Sequence, residues 1–230
     1  MEEIILSSTT VGVVISLISY GLGSLMKKKW KLAIFNPLLI SIVLTILVLS
    51  LLGVDYETYN ESAKYLSYLL TPATVCLAVP LYQKLELLKK NILAIVIGVV
   101  SGVLTSFVSV LCLAYLFGLE HSQYVTLLPK SITTAIGMGL SEEFGGYVSI
   151  TVAAIVITGV IGNMLAEVIC KVFRIKNPIS RGLAIGCASH AMGTSKAMEM
   201  GEIEGAMSSL AIVVTGLGTV IGMSFFVNLL

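Results

Sequence analysis

Three short polar interruptions stand out from an otherwise apolar chain, and each could do chemistry. They are Thr71-Pro72-Ala73-Thr74, Pro129-Lys130-Ser131-Ile132-Thr133-Thr134 and Ala188-Ser189-His190-Ala191-Met192-Gly193-Thr194-Ser195. Each sets hydroxyls beside a helix breaker. Proline removes a backbone donor and clashes with the preceding turn. A helix that starts there exposes its first N–H groups, and those groups together with the helix dipole attract an anion. Lys130 adds a cation whose nearest acids in sequence are Glu120 and Glu142. Facing a pocket, it would compensate the charge of an anion; the alternative is a lysine that snorkels to the outer headgroups. His190 can relay protons or donate a hydrogen bond, or be a buried histidine satisfied by a backbone carbonyl. Asn36 can face a cavity or cap the helix beginning at Pro37. The candidate substrate-binding set is therefore Asn36, Thr71, Thr74, Lys130, Ser131, Thr133, Thr134, Ser189, His190, Gly193, Thr194 and Ser195. Ser, Thr, Gly and Pro also serve as packing and hinge residues in membrane helices, so the argument rests on the three segments together. We expect them to converge on one cavity near the bilayer midplane, with helix starts at Pro72 and Pro129. No G-x-S-x-G, P-loop or H-E-x-x-H occurs. The two histidines are 69 positions apart, so no metal cluster is visible. The chain reads as a non-enzyme without metal or cofactor.

The elements that must position these residues follow from composition. Of 230 residues, 57% are hydrophobic and 12% charged, and the mean hydropathy is +0.99. A water-facing surface needs more charge than this, which excludes a soluble enzyme, a nucleic-acid binder and a disordered regulator. A span takes about 20 apolar residues, so this length allows roughly six to eight crossings. Eleven of the 14 cations fall in three stretches: Lys27 to Lys31, Lys84 to Lys90, and Lys171 to Arg181. The positive-inside rule places all three in the cytoplasm. The first apolar run, Ile4 to Leu25, then starts outside, behind Glu2 and Glu3. The four cysteines lie in or beside apolar runs with no C-x-x-C spacing, as small buried residues do.

Charge bookkeeping also favours a hairpin or a broken helix over a plain span for the second polar segment. If residues 118–146 crossed fully, Tyr147 to Cys170 would run outward and leave the third basic stretch outside, against the rule. A segment that dips in and returns restores the order. Irregular backbone facing lipid is not tolerated, so such a segment must be enclosed by other helices or line a cavity. Residues 182–205 repeat the layout: a polar segment, acids, then a glycine-rich span. A shift of 59 positions brings Glu143 onto Glu202, Gly146 onto Gly205, Ser149 onto Ser208 and Gly159 onto Gly218. One span lies between the two polar segments, so they enter from opposite faces, as in an inverted-topology repeat. A looser third copy starts at Thr71. The expected fold is all-α: one transmembrane domain over 1–230, about six full spans and two or three broken or re-entrant helices, with interruptions at 66–82, 125–146 and 182–205. Gly98 and Gly102 offer a small-x-x-x-small face, from which a homodimer is expected.

The same interruptions carry a family resemblance. The runs Asn36-Pro37-Leu38-Leu39-Ile40, Thr71-Pro72-Ala73-Thr74-Val75 with Leu77-Ala78-Val79-Pro80-Leu81-Tyr82, Leu128-Pro129-Lys130-Ser131-Ile132-Thr133-Thr134, and Gly182-Leu183-Ala184-Ile185-Gly186 leading to Ala188-Ser189-His190-Ala191-Met192-Gly193-Thr194 resemble those of the LrgB/CidB family of bacterial membrane proteins. Relatives of that family include the C-terminal half of the plastid glycolate/glycerate transporter. The resemblance covers nearly the whole chain. Thr71 stands where the family typically has glycine, and Ala135 where proline is common. The resemblance implies a multi-pass protein of the bacterial cell membrane with one of two functions. One is a carrier or exporter of small organic anions of the glycolate, glycerate or pyruvate class, which the concentration of polarity in short interruptions favours. The other is an antiholin-like regulator of murein hydrolase activity and autolysis that does not transport. It also implies a separate LrgA/CidA-type small membrane partner, and no nucleic acid.

Overall fold

Long runs of Leu, Ile, Val and Gly can satisfy their backbone in a bilayer only as helices or closed barrels, and the computed structural model of the chain is built of helices. It describes residues 10–30 and 35–230, apart from the side chains of Leu70, Thr71 and Thr74. Glu2 and Glu3, the start of the first apolar run, and Lys31 lie outside the described residues. The chain divides between Cys76 and Leu77 into two compact units.

The first unit holds α1 (Val11–Trp30), α2 (Pro37–Leu52), α3 (Tyr56–Ala63), a 3-10 turn (Lys64–Leu69) and the start of α4 (Leu70–Gln83). Small residues let α1 approach its neighbours. The Gly12 N–H donates to Ser62 Oγ at 2.9 Å, Ser16 and Tyr59 share a hydroxyl bond of 2.7 Å, and Gly23 lies directly against Pro37. Asn36 is buried, and its Oδ1 accepts from Leu38 N at 2.9 Å and Leu39 N at 3.4 Å. It is the N-cap of α2, with Pro37 at the first helical position, where its missing donor costs nothing. Asn36→Ala should therefore lower stability by about 1 kcal/mol, while Asn36→Asp keeps most of it; thermal unfolding in detergent measures the difference. In α4, Pro72 sits in the first turn and Pro80 inside, so the helix starts at Leu70 rather than at Pro72.

The second unit continues with α5 (Leu85–Lys90), α6 (Ile92–Phe117), α7 (His121–Leu127), α8 (Thr134–Glu143), α9 (Val148–Val172), α10 (Pro178–Met200) and α11 (Glu202–Phe226). Four helices among the described residues are long and apolar enough to cross a membrane: α1, α6, α9, and α11 with its following turn. The apolar α2 is shorter, at 16 residues. In α6 the residues Ile95, Val99, Val103, Phe107, Val110 and Ala114 recur every three or four positions. They form one buried stripe, which joins Leu183 and Cys187 of α10 and Met207, Ala211 and Met223 of α11 in one core.

Two hairpins interrupt this bundle. In the first, three residues separate α6 from α7 and four separate α8 from α9, with a turn over 128–133 between the arms. Both ends of the hairpin therefore lie where α6 finishes and α9 begins. Buried hydroxyls hold it there. Tyr147 N donates to Thr126 Oγ1 at 2.8 Å, and Thr151 Oγ1 bonds Thr126 O at 2.9 Å and Ser141 Oγ at 2.7 Å. The second hairpin lies within α10. Asn177 caps its start, accepting from Ile179 N and Ser180 N, but Ser189 and His190 leave helical geometry. A Cβ on Gly193 would lie 3.1 Å from Ile185 O, whereas eight residues of unbroken helix span about 12 Å. The arms 178–188 and 191–200 thus fold back on each other. Their base adjoins the end of α9 and the start of α11. Since α9 joins the two hairpins and is about 37 Å long by helical rise, they enter from opposite ends of it. The first arm lies close against α11 because Gly182 and Gly186 leave room for Glu204, Met207, Ser208 and Ala211.

Candidate functional site

The tips of the two hairpins share one cavity. It measures about 620 Å³ and is lined by Gly98, Ser101, Gly102, Thr105, Ser106 and Ser109 of α6, Lys130 and Ser131 of the first tip, Ile157, Thr158, Ile161 and Gly162 of α9, and Ala184, Cys187, Ala188 and Ser189 of α10. Ser106 lies 14 residues from one end of α6 and 11 from the other, about 21 and 17 Å by helical rise. The cavity is therefore at mid-helix depth.

Lys130 is half-buried. Its Nζ donates to Ser131 Oγ at 3.1 Å and to Ser106 Oγ at 3.4 Å, and those two hydroxyls are themselves 3.4 Å apart. Among the described residues no carboxylate pairs with it. Two neutral hydroxyls orient an ammonium without compensating its charge, and a desolvated cation costs several kcal/mol when uncompensated. An anion in the cavity would remove that cost. Along α6, Ser101, Thr105 and Ser109 recur every four residues. Each spends its proton on its own helix, bonding Gly98 O at 2.8 Å, Ser101 O at 2.7 Å and Ser106 O at 2.8 Å. Their lone pairs remain for a ligand or water.

Two of the three expected segments meet here, in part. Lys130, Ser131 and Ser189 line the cavity. Thr133 is the N-cap of α8, and Thr134 begins that helix; neither lines the cavity, and the helix start anticipated at Pro129 falls at Thr134 instead. Pro129 is buried in the turn before it. His190, Gly193, Thr194 and Ser195 brace the second hairpin. His190 Nε2 donates to Ile155 O at 3.0 Å. Thr194 Oγ1 lies 2.9 Å from His190 O and 2.7 Å from Ser208 Oγ. Gly193 packs on Ser189 and Ile185. Asn163 Nδ2 donates to Met192 O at 2.6 Å and to Ser195 Oγ at 3.1 Å. Asn36, Thr71 and Thr74 belong to the first unit, and the side chains of the two threonines lie outside those described. The hydroxyls of α6 were missed in the sequence, although their four-residue spacing marks one helical face. Gly98 and Gly102 face Leu183 and Cys187 of the same chain, so the small-residue face from which a homodimer was expected is used internally.

The base of the second hairpin is tied by charge. Lys196 Nζ lies 2.6 Å from Glu167 of α9 and 3.1 Å from Glu199 of its own arm. Arg181 lies 3.7 Å from Glu204, and Lys84 2.9 Å from Glu202. Lys196 is largely buried while Glu167 is half-exposed. Lys196→Met should accordingly cost about 1–2 kcal/mol, less than a fully buried pair, because water screens the carboxylate. Chemical unfolding in mild detergent reads that loss.

Apolar helices of spanning length with paired hairpins around a cavity that holds Lys130 and several hydroxyls define an integral membrane protein. The sequence signature of the LrgB-like family matches residues 16–229, and the chain belongs to that family. Proteins named antiholin-like protein LrgB from Bacillus mycoides (strain KBAB4), Bacillus cereus (strain B4264) and Bacillus anthracis (strain CDC 684 / NRRL 3495) are each 40% identical to it over 216 residues, covering 94% of both chains. No solved structure matches the chain.

Proposed function

We propose that the chain is a membrane carrier of small organic anions, of the glycolate, glycerate or pyruvate class, working by alternating access. The observation that carries this reading is the meeting of two oppositely entering hairpin tips at one cavity holding Lys130. The tips have corresponding places in an inverted repeat. Ser131 touches Ser106 of the preceding long helix, 25 positions earlier. Ser189 packs on Gly162 of its own preceding helix, 27 positions earlier. A shift of 59 lays Lys130 on Ser189. Carriers of this kind place their substrate at the repeat interface near the midplane.

We take both units as parts of one LrgB-like domain, since a single family signature runs through them. The site reading extends to Thr71, Thr74 and Asn36 only as part of this proposal. The orientation proposed is N-terminus outside, in a bacterial cell membrane. Lys84, Lys171 and Arg181 gather at the base of the second hairpin, which supports one cytoplasmic end. An LrgA/CidA-type membrane protein is the proposed partner. A homodimer would need a face other than Gly98 and Gly102, and the mass of the purified protein in mild detergent decides it.

The names of the relatives favour a second reading, an antiholin-like regulator of murein hydrolase activity and autolysis, and they back it better than they back a carrier. Uptake of labelled glycolate, pyruvate and lactate into proteoliposomes, with and without a proton or sodium gradient, separates the two. A carrier gives saturable uptake of at least one. A regulator gives none, while its production still changes the rate of cell lysis.

A further inference from the structure

The tip of the second hairpin carries a strained residue that the cavity itself does not use. His190 has φ 42° and ψ −139°, a setting outside the helical and extended basins that side chains disfavour and glycine tolerates. It is one of two non-glycine residues with positive φ among the described residues, the other being Arg174 at the end of α9. The chain turns back here and could do so more easily with glycine. What histidine adds is its ring. The ring lies in a trough on α9 made by two glycines: a Cβ on Gly159 would stand 2.7 Å from Cε1 and Nε2 of His190, and one on Gly162 would collide with the Ser189 side chain. At the floor of the trough, Nε2–H donates to Ile155 O at 3.0 Å. A helical carbonyl can take a second bond where no side chain shields it. The residue is buried, as is Ser189.

We propose that His190 is a positioning residue for the anion site. Its ring, seated over Gly159 and bonded to Ile155 O, fixes the second tip so that Ser189 stands at the cavity edge against Gly162. The residue does not touch the anion and does not carry a proton. This rests on the carrier reading for its kinetic consequence, but the seating itself can be tested without transport.

Four variants test it: His190→Gly, His190→Asn, His190→Gln and Gly159→Ala. Glutamine places an amide N–H where Nε2 stands; asparagine is one bond too short; the alanine methyl meets the ring and, at the same 2.7 Å, Met192 Sδ, whose flexible side chain can give way, so it displaces the ring while leaving histidine in place. Labelled glycolate uptake in proteoliposomes gives apparent KM and maximal rate, and hydrogen exchange over residues 186–194 reports the tip. His190→Gly should fold with undiminished thermal stability, because its backbone strain is relieved. It should nonetheless raise KM at least fivefold with less than a twofold change in maximal rate, and speed exchange at the tip. His190→Asn and Gly159→Ala should follow it, while His190→Gln stays within twofold of the unaltered protein. If His190→Gln loses as much as His190→Gly, the imidazole itself is needed and the proposal is overturned. If His190→Gly changes neither KM nor exchange, the ring seats nothing and the proposal is overturned likewise. Should the unaltered protein show no uptake, the carrier reading fails, and the exchange of His190→Gly against His190→Gln still decides the seating.

Discussion

Lys130→Ala should raise the glycolate concentration for half-maximal uptake by more than tenfold, with little change in folding. The lysine is the cation of the cavity, and among the described residues its Nζ bonds the hydroxyls of Ser106 and Ser131 and no carboxylate. A hydrogen bond to a charged group contributes about 1.5–3 kcal/mol, and each 1.4 kcal/mol is a factor of ten in affinity. Removing the lysine does not orphan a carboxylate, so stability should fall little and could rise. Lys130→Arg keeps the charge but brings a planar fork into a place shaped for a compact ammonium, and should lie between the two. Uptake at low substrate by all three forms, beside their melting temperatures, checks this. Equal uptake by Lys130→Ala would return the residue to a snorkelling role.

The second large effect is expected at Ser106. Ser106→Trp should reduce uptake of every anion to under a tenth while the protein still purifies as a folded species. Ser106 stands at mid-helix between α6 and the first tip, half-buried and on the cavity wall. An indole there can occupy the cavity rather than displace core side chains. It also removes one of the two hydroxyls that hold Lys130. The same substitution made at a packed position would behave differently. Gly193, which on sequence alone is equally attractive for a blocking change, lies against Ser189 and Ile185, so a large residue there would open the hairpin rather than plug the site. Circular dichroism and uptake measured on one preparation separate the two outcomes. Normal uptake by folded Ser106→Trp would mean that the cavity is not on the route.

Much of this arrangement is legible in the sequence, for identifiable reasons. An interruption in place of a full span follows from charge for the first polar segment. With Lys84 and Lys171 on one side, the polar stretch around Lys130 has to return to the side it came from. The Asn36-Pro37 pair announces a capped helix start; the structure shows the same pairing, unread in the sequence, at Asn177-Pro178 at the base of the second hairpin. The site is less legible. The α6 hydroxyls were read as part of an ordinary span, because serine and threonine in long apolar helices satisfy themselves on their own backbone, as Ser101, Thr105 and Ser109 do. Periodicity gives the face of a helix but not the neighbour it meets. For that reason Gly98 and Gly102 suggested a second copy of the chain and instead face α10. Thr133, Thr134 and Thr194 were grouped with Ser131 and Ser189 by sequence proximity. Chain reversal at each tip separates one residue that lines the cavity from the next that braces it.

In the proposed carrier both tips face one anion, and substrate protection measures that directly. Cysteine is placed singly at Ser131 and at Ser189 in a protein whose four native cysteines are replaced, and its reaction with a small thiol reagent is followed as glycolate is added. Glycolate should slow both reactions with the same half-protecting concentration, and Lys130→Ala should shift both together. Protection at one tip alone, or at neither while uptake persists, would contradict it.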